Sequence, residues 1–269
     1  MTLNGRNKLL YTFGIGAILI DTAVLLIFLL RLFFRSSMDF HLDGLNLFEN
    51  GFFSFVFSPN PLTSVFAVAV IALYAPALCL ITRYTFEKTQ SAEMIYFGIF
   101  LLSCLVEVFR LFIPIFNLWH GYSLFLIYIG KFIFTGRLVV VLSFLFAVLF
   151  SSEEHIQDAD RNLFVIYSIA LTFAAIVPVE SGSGRTSIMV STGYDKIFIA
   201  VKLFIVALTA ITLLVSKKAK TAAGFFILYG GYSLLVKAES PFFFLCGIAL
   251  LLTGTKVYLE SLHDYYLWK

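Results

Sequence analysis

The feature that most constrains this chain is a series of long apolar segments that contain very few charged residues. A helix needs about 20 apolar residues to cross a hydrocarbon core of about 30 Å, and about eight segments meet or approach that length. They lie near residues 9–34, 62–83, 93–117, 121–150, 162–179, 196–216, 221–236 and 241–259. Helices satisfy every backbone polar group internally, so we predict an all-α, polytopic integral membrane bundle of about eight transmembrane helices.

Composition excludes a soluble domain. Hydrophobic residues make up 60% of the 269 residues, and charged residues make up only 13%. Soluble domains carry about 25% charged residues and about 45–50% apolar ones. The net charge of +3 is too small to indicate nucleic-acid binding. The lipid bilayer is therefore the predicted environment, and no nucleic-acid partner is predicted.

The first apolar segment is predicted to be an uncleaved anchor. Arg6 and Lys8 precede it, and it is longer than the core of about 7–15 residues found in a cleavable signal peptide. Aromatic residues and carboxylates alternate through the next segment, as expected at a membrane interface. We therefore divide the chain into an anchor helix (1–35), a short extracytoplasmic interfacial segment (36–61) and a seven-helix bundle with a short cytoplasmic tail (62–269).

Lysine and arginine residues in the short loops predict the orientation. With the N-terminus in the cytoplasm, most of these cations fall on the cytoplasmic side, as the positive-inside tendency requires. They are Arg6, Lys8, Arg83, Lys88, Arg161, Lys217, Lys218, Lys220 and Lys269. An even number of helices returns the C-terminus to the same side. We predict that both termini are cytoplasmic and that the membrane is a bacterial inner membrane.

The seventh segment, 221–236, is the shortest. Its length corresponds to about 24 Å of helix, and Gly230-Gly231 is expected to interrupt it. A tilted helix in a thinned bilayer and a partly re-entrant segment are both compatible with this pattern. The glycine pair also resembles the interrupted helices that line transport sites.

Ionisable residues inside the predicted spans are the candidates for a functional site. Each costs about 2.5–3.5 kcal/mol at the centre of a membrane helix, so it needs a partner, water or a function. The third span places Ser103, Glu107, Arg110 and Pro114 on one helical face, and Pro114 interrupts the backbone ladder there. The candidate ligand-binding residues are Glu107, Arg110, Lys131, Arg137, Asp21 and Lys202.

Two interpretations of these residues remain open. In the structural interpretation, Asp21 neutralises Arg137, Glu107 pairs with Arg110 in its own helix, and the lysines reach toward headgroups. In the functional interpretation, Arg110, Lys131 and Lys202 outnumber the nearby carboxylates because they surround a cavity. That cavity would take a polar or anionic ligand that enters from the extracytoplasmic side.

Catalytic and cofactor motifs are not found in the sequence. The four histidines lack metal-ligand spacing, and no nucleophile elbow or phosphate-binding loop occurs. Cys79, Cys104 and Cys246 lie in apolar segments, as buried thiols do. We predict no catalytic residues, no metal and no cofactor. A lipid-modifying enzyme with Glu107 or Asp21 as a general base remains a third alternative.

Two short segments carry a resemblance to a known family. They are the polar turn Arg83-Tyr-Thr-Phe-Glu-Lys88 and the stretch Phe144-Leu-Phe-Ala-Val-Leu-Phe150, which runs into a polar loop. Over about residues 65–260 the layout resembles bacterial seven-transmembrane sensor modules, which are joined to diverse intracellular signalling domains. This resemblance implies signalling, and it carries over no functional residue. The chain stops at Trp268-Lys269, so the implied effector is expected to be a separate cytoplasmic protein.

These observations favour a non-enzymatic, multi-pass sensor, adaptor or membrane subunit. It is expected to bind a polar or anionic ligand or partner in its outer half and to relay this to cytoplasmic or membrane protein partners. The alternative is a transporter, or a subunit of one, for a small anionic or amphiphilic substrate.

Overall fold

A computed structural model describes residues 3–34, 56–87, 91–116, 118, 124–150, 159–178, 195–216 and 219–267. Most of the predicted interfacial segment 36–61 lies outside the described residues, as do Arg35, Lys88, Arg185 and Lys269. Helices dominate the described residues, and these residues contain no strand. The predicted all-α class is confirmed.

Nine α-helices and one 3₁₀ segment follow one another along the described part of the chain. The α-helices are α1 (Leu3–Phe34), α2 (Pro61–Thr85), α3 (Ala92–Leu105), α4 (Phe112–Ile115), α5 (Leu124–Leu149), α6 (Ala159–Ile176), α7 (Asp195–Val215), α8 (Ala219–Val236) and α9 (Pro241–Leu267). The 3₁₀ segment, Val106–Leu111, joins α3 to α4. These three elements together form the third span.

Seven spans within the described residues are long and apolar enough to cross a membrane: α1, α2, the third span, α5, α7, α8 and α9. The 18-residue α6 packs against α5 and measures about 27 Å, which makes it the eighth membrane-length helix. The protein is therefore a multi-pass membrane protein, as predicted.

Contacts between helix ends show which ends of the bundle lie together. Arg6 Nη2 donates a hydrogen bond to the Phe86 carbonyl over 2.6 Å, and Lys220 Nζ pairs with Asp264 Oδ2 over 2.6 Å. The Phe86 and His263 rings link these two pairs, with centroids 5.7 Å apart. We call this the terminal end, since it holds the beginning of α1 and the end of α9.

The opposite end of the bundle, called the distal end, holds the start of α2 and the α8–α9 connection. The Asn60 backbone N–H donates to the Glu239 carbonyl over 2.7 Å, and Ser64 Oγ donates to the Ala238 carbonyl over 2.8 Å. Asn60 also caps α2 by accepting a hydrogen bond from the Leu62 N–H. These bonds fix α2 against the turn after α8.

Aromatic side chains fill the centre of the bundle. The Phe144 ring of α5 lies 4.8 Å from Phe100 of α3 and 5.0 Å from Phe225 of α8, measured between centroids. Tyr258 of α9 meets the same Phe144 ring edge to face at 5.7 Å. Such contacts hold α3, α5, α8 and α9 around one core.

Glycine allows α8 and α9 to pack with their backbones in contact, which is the most extensive helix pairing in the bundle. A Cβ at Gly224 would lie 2.7 Å from the Tyr258 nitrogen, and one at Gly231 or Gly254 would meet the backbone of the facing helix. Small residues permit this close approach in membranes. The expected interruption at Gly230-Gly231 is therefore wrong: α8 is continuous, and Gly231 serves helix packing.

Candidate functional site

The interruption in the bundle lies in the third span, where the 3₁₀ segment carries Glu107 and Arg110. Pro114 has no backbone N–H and its ring crowds the preceding turn, so a regular α-helix cannot continue through this region. Short 3₁₀ stretches inside a helix mark hinges or strained sequence. Both charged side chains are 1% exposed.

The Glu107 carboxylate is the centre of a buried polar network. Arg137 binds it with two nitrogens: Nε donates to Oε1 over 2.6 Å and Nη2 donates to Oε2 over 3.0 Å. Arg110 Nη1 lies 3.4 Å from Oε2, and the Tyr232 hydroxyl donates to Oε1 over 3.3 Å. The network therefore contains one carboxylate and two guanidinium groups, with a formal charge of +1.

Arg110 also ties the third span to α8. Its Nη1 donates to the carbonyl of Val236, the last residue of α8, over 3.1 Å. The carbonyl groups at the end of a helix lack partners within the helix, and a guanidinium group satisfies one of them here. The network thus connects the third span, α5 and α8 in the distal half of the bundle.

Gly136 brings α5 close enough for Arg137 to reach Glu107. A Cβ at Gly136 would lie 2.9 Å from the Val106 Cβ, so glycine permits direct contact between α5 and the 3₁₀ segment. This small residue next to the arginine is a signal that sequence analysis overlooked.

A cavity of about 430 Å³ lies between α5, α7 and α8, next to the network. Three cationic side chains line it: Arg137, Lys202 and Lys237. No carboxylate is found among the described residues of its wall. Lys202 Nζ lies 4.5 Å from the centroid of the Phe198 ring, a cation–π contact on the same helix.

Hydroxyl groups and aliphatic side chains complete the wall. The hydroxyl groups belong to Tyr229, Tyr232 and Ser233 of α8. The aliphatic groups belong to Ile199 and Leu203 of α7 and to Leu234 and Val236 of α8. Apolar walls with a few converging polar groups are typical of ligand sites.

Side-chain exposure falls along a path from the surface to the network. Lys237 follows the last turn of α8 and is exposed, and Lys202 is half-buried on α7. The Arg137 side chain is 12% exposed and reaches the fully buried Glu107. Positive charge therefore extends from the distal end of the bundle into its interior.

The structure separates the sequence-predicted residues into three groups. Glu107, Arg110 and Arg137 form the network, and Lys202 joins Arg137 in the cavity. Lys131 does not line this cavity: its Nζ donates to the Ala175 carbonyl near the end of α6 over 2.7 Å. Asp21 lies elsewhere, on α1.

Asp21 does not neutralise Arg137, contrary to the structural interpretation of the sequence. The Arg137 guanidinium pairs with Glu107, whereas Asp21 Oδ2 accepts no hydrogen bond from the described residues. Asp21 is 3% exposed and packs on the side of the bundle where α1 meets α2. The predicted pairing of Glu107 with Arg110 is confirmed at 3.4 Å.

Sequence analysis missed the part of the site that α8 contributes. Tyr229, Ser233 and Lys237 recur every four residues and share one helical face. This polar stripe could have been recognised, but Gly230-Gly231 drew attention to a break instead.

The chemistry available at this site is recognition of negative charge. Arginine and lysine side chains donate charge-assisted hydrogen bonds to carboxylate and phosphate groups. The described residues contain no cluster of histidine, cysteine and carboxylate side chains that could hold a metal ion. Cys79, Cys104 and Cys246 are free thiols.

Comparisons with protein-family models, with curated proteins and with solved structures give no match to this chain. The interpretation of the site therefore rests on the geometry of its own residues.

Proposed function

We propose that this protein is a non-enzymatic sensor or adaptor of a bacterial inner membrane. It binds an anionic ligand in the cavity between α5, α7 and α8, and it relays occupancy to a protein partner at the cytoplasmic side. The observation that carries the proposal is the convergence of Arg137, Lys202 and Lys237 on one cavity, without a carboxylate among its described lining residues.

The energetics of buried charge support a binding role. Each cation below the membrane surface is costly, and such residues mark ligand or ion sites more often than structural pairs. Arg137 has Glu107 as a partner, but Lys202 and Lys237 add positive charge to the same wall. A bound anion would compensate that charge.

The 3₁₀ segment supports the relay. Glu107 sits on this segment and accepts both Arg137 bonds, so a ligand anion that competes for Arg137 would loosen the tie between the third span and α5. A hinge that adopts two arrangements converts such a local change into a helix movement. The partner is expected at the terminal end, which the orientation prediction assigns to the cytoplasm.

The experiment measures thermal unfolding of the full-length chain in a neutral detergent with a panel of anions at constant ionic strength. The panel contains inorganic phosphate, citrate, oleate and phosphatidylglycerol. A ligand that binds only the folded state raises the unfolding midpoint. We expect at least one anion to do so, and to do so less in a K202Q/K237Q variant.

The matched control is Lys256→Gln, which removes an exposed lysine of α9 outside this cavity. Its response should equal that of the unmodified protein. The proposal is overturned if no anion stabilises the protein, or if the double variant responds as strongly as the control.

A second candidate function is transport of the same anion. Discontinuous helices line the substrate sites of many transporters, and the third span is discontinuous beside the buried network. Flux of the stabilising anion into proteoliposomes separates the two candidates. A transporter takes up the anion, and a sensor does not.

A further inference from the structure

We infer that the ligand is an anionic amphiphile, with its acidic group at the lysines of the cavity and a hydrocarbon chain along α7. This inference rests on the proposed function and names the class of ligand. It has three supports: the depth of the cations, the apolar wall, and the opening of the cavity toward lipid.

The cations lie at the depth where a lipid headgroup meets its chain, and below it. Lys237 lies at the end of α8, and Lys202 lies about 10 Å along α7 from its first residue. Arg137 lies about 20 Å along α5 and forms the deepest cationic part of the wall. A ligand that contacts the lysines extends from the headgroup region into hydrocarbon depth, which favours a molecule that is polar at one end only.

The wall between the cations is aliphatic. Ile199 and Leu203 are spaced four residues apart on α7, and Leu234 faces the same cavity from α8. A small hydrophilic anion would leave these surfaces without a partner, whereas a hydrocarbon chain would cover them. A cavity of about 430 Å³ also falls in the range of about 300–1,000 Å³ typical of sites for larger organic ligands.

The cavity opens toward the bilayer. Leu203 is 61% exposed and Ile199 is 38% exposed, although both line the cavity. Large apolar residues on the outside of a membrane helix face lipid chains. A ligand chain can therefore pass along α7 into the surrounding hydrocarbon while its acidic group stays at the lysines.

Gly230 provides the sharpest test of this assignment. It lines the cavity, and a Cβ built there meets no atom within 4 Å. A Gly230→Leu side chain would therefore extend into open space. Gly16 on α1 also has nothing within 4 Å of a built Cβ and does not line the cavity, so Gly16→Leu is the matched control.

The experiment measures lipid binding to the full-length protein by native mass spectrometry from neutral detergent. The probes are phosphatidylglycerol, oleate, phosphatidylcholine and glycerol phosphate. We expect phosphatidylglycerol or oleate to bind at least about tenfold more tightly than phosphatidylcholine, because charge-assisted bonds to the lysines need an anion. Glycerol phosphate, which has no chain, should bind at least about tenfold more weakly than the better amphiphile.

The two amphiphile arms distinguish a phospholipid source from a fatty-acid source. Gly230→Leu should abolish binding of the preferred amphiphile, and Gly16→Leu should leave it unchanged. The K202Q/K237Q variant should weaken binding without adding bulk, so the inference remains testable if Gly230→Leu disturbs folding. The unfolding midpoint of each variant reports its folding.

Other outcomes separate this inference from the proposed function. Equal binding of glycerol phosphate would overturn the chain assignment and leave an anion site intact. Equal binding of phosphatidylcholine would overturn the role of the lysines. Absence of binding by every anion would overturn both proposals.

Discussion

At the residue scale, Glu107 is the least replaceable side chain because it is the counterion of two buried cations. Arg137 and Arg110 both approach its carboxylate inside the bundle. Removing one partner of a buried ion pair leaves an uncompensated charge, which costs more than the pair itself contributes.

We therefore expect Glu107→Gln to lower the free energy of unfolding by about 3–5 kcal/mol, because two guanidinium groups lose their counterion. Denaturant or thermal unfolding of the full-length protein measures this loss. Glu260→Gln is the matched control: Glu260 lies 3.8 Å from Lys256, and both side chains are more than half exposed. That change should stay within about 0.5 kcal/mol. Equal effects of the two variants would contradict the assigned network.

Asp21 is the opposite case at the same scale. Its carboxylate is buried, but Oδ2 accepts no hydrogen bond from the described residues. We expect Asp21→Asn to keep or raise the unfolding midpoint, because the substitution removes a potential charge without removing a hydrogen bond to that oxygen. A fall in the midpoint comparable to that of Glu107→Gln would show that Asp21 has a charged partner in the membrane.

At the scale of elements, two adjacent glycines of α8 have different tasks. Gly231 lies against the backbone of Leu251 on α9, whereas Gly230 faces open space in the cavity. The 3.6-residue period of a helix points consecutive residues about 100° apart, so neighbours in sequence need not share an environment.

We expect Gly231→Ala to lower the unfolding midpoint, because its Cβ would force α8 and α9 apart. Gly230→Ala should leave the midpoint unchanged or raise it slightly, since alanine favours the helix by about 0.4–1 kcal/mol where the site is open. Thermal unfolding of the two single variants side by side is the measurement. A loss of stability in both would indicate that α8 is interrupted there after all.

The 3₁₀ segment shows how an element positions a site. Pro114 predicts that the third span cannot remain a regular helix, and the break appears just before it. Which residues the break turns toward α5 depends on the neighbouring helix, and Gly136 supplies the space. The bidentate Arg137 bond follows from this contact between elements.

At the scale of the whole molecule, antiparallel packing places the beginning of α1 and the end of α9 at the same end. Residues 6 and 86 are joined there by a hydrogen bond, and residues 220 and 264 are joined by an ion pair. The α8–α9 connection lies at the other end with the start of α2. The eight membrane-length helices therefore return the chain to its starting side.

We expect a cysteine at Lys8→Cys and one at Glu260→Cys to react with a membrane-impermeant maleimide from the same side of the membrane. Lys237→Cys should react from the opposite side. All three positions are exposed, so accessibility reports topology. Labelling uses a background in which Cys79, Cys104 and Cys246 are replaced. Reaction of Lys8→Cys and Glu260→Cys from opposite sides would contradict the eight-helix arrangement.

The sequence by itself determined that this chain forms a membrane bundle of helices, because the length and apolarity of each segment leave its backbone no other way to satisfy its polar groups. It also located the charged residues that need an explanation. Only the tertiary structure decided their partners, since Arg137 pairs with a glutamate 30 positions away rather than with Asp21. The helix packing that sets such distances depends on small residues at contacts, and a one-dimensional pattern does not say which neighbour each helix face will meet.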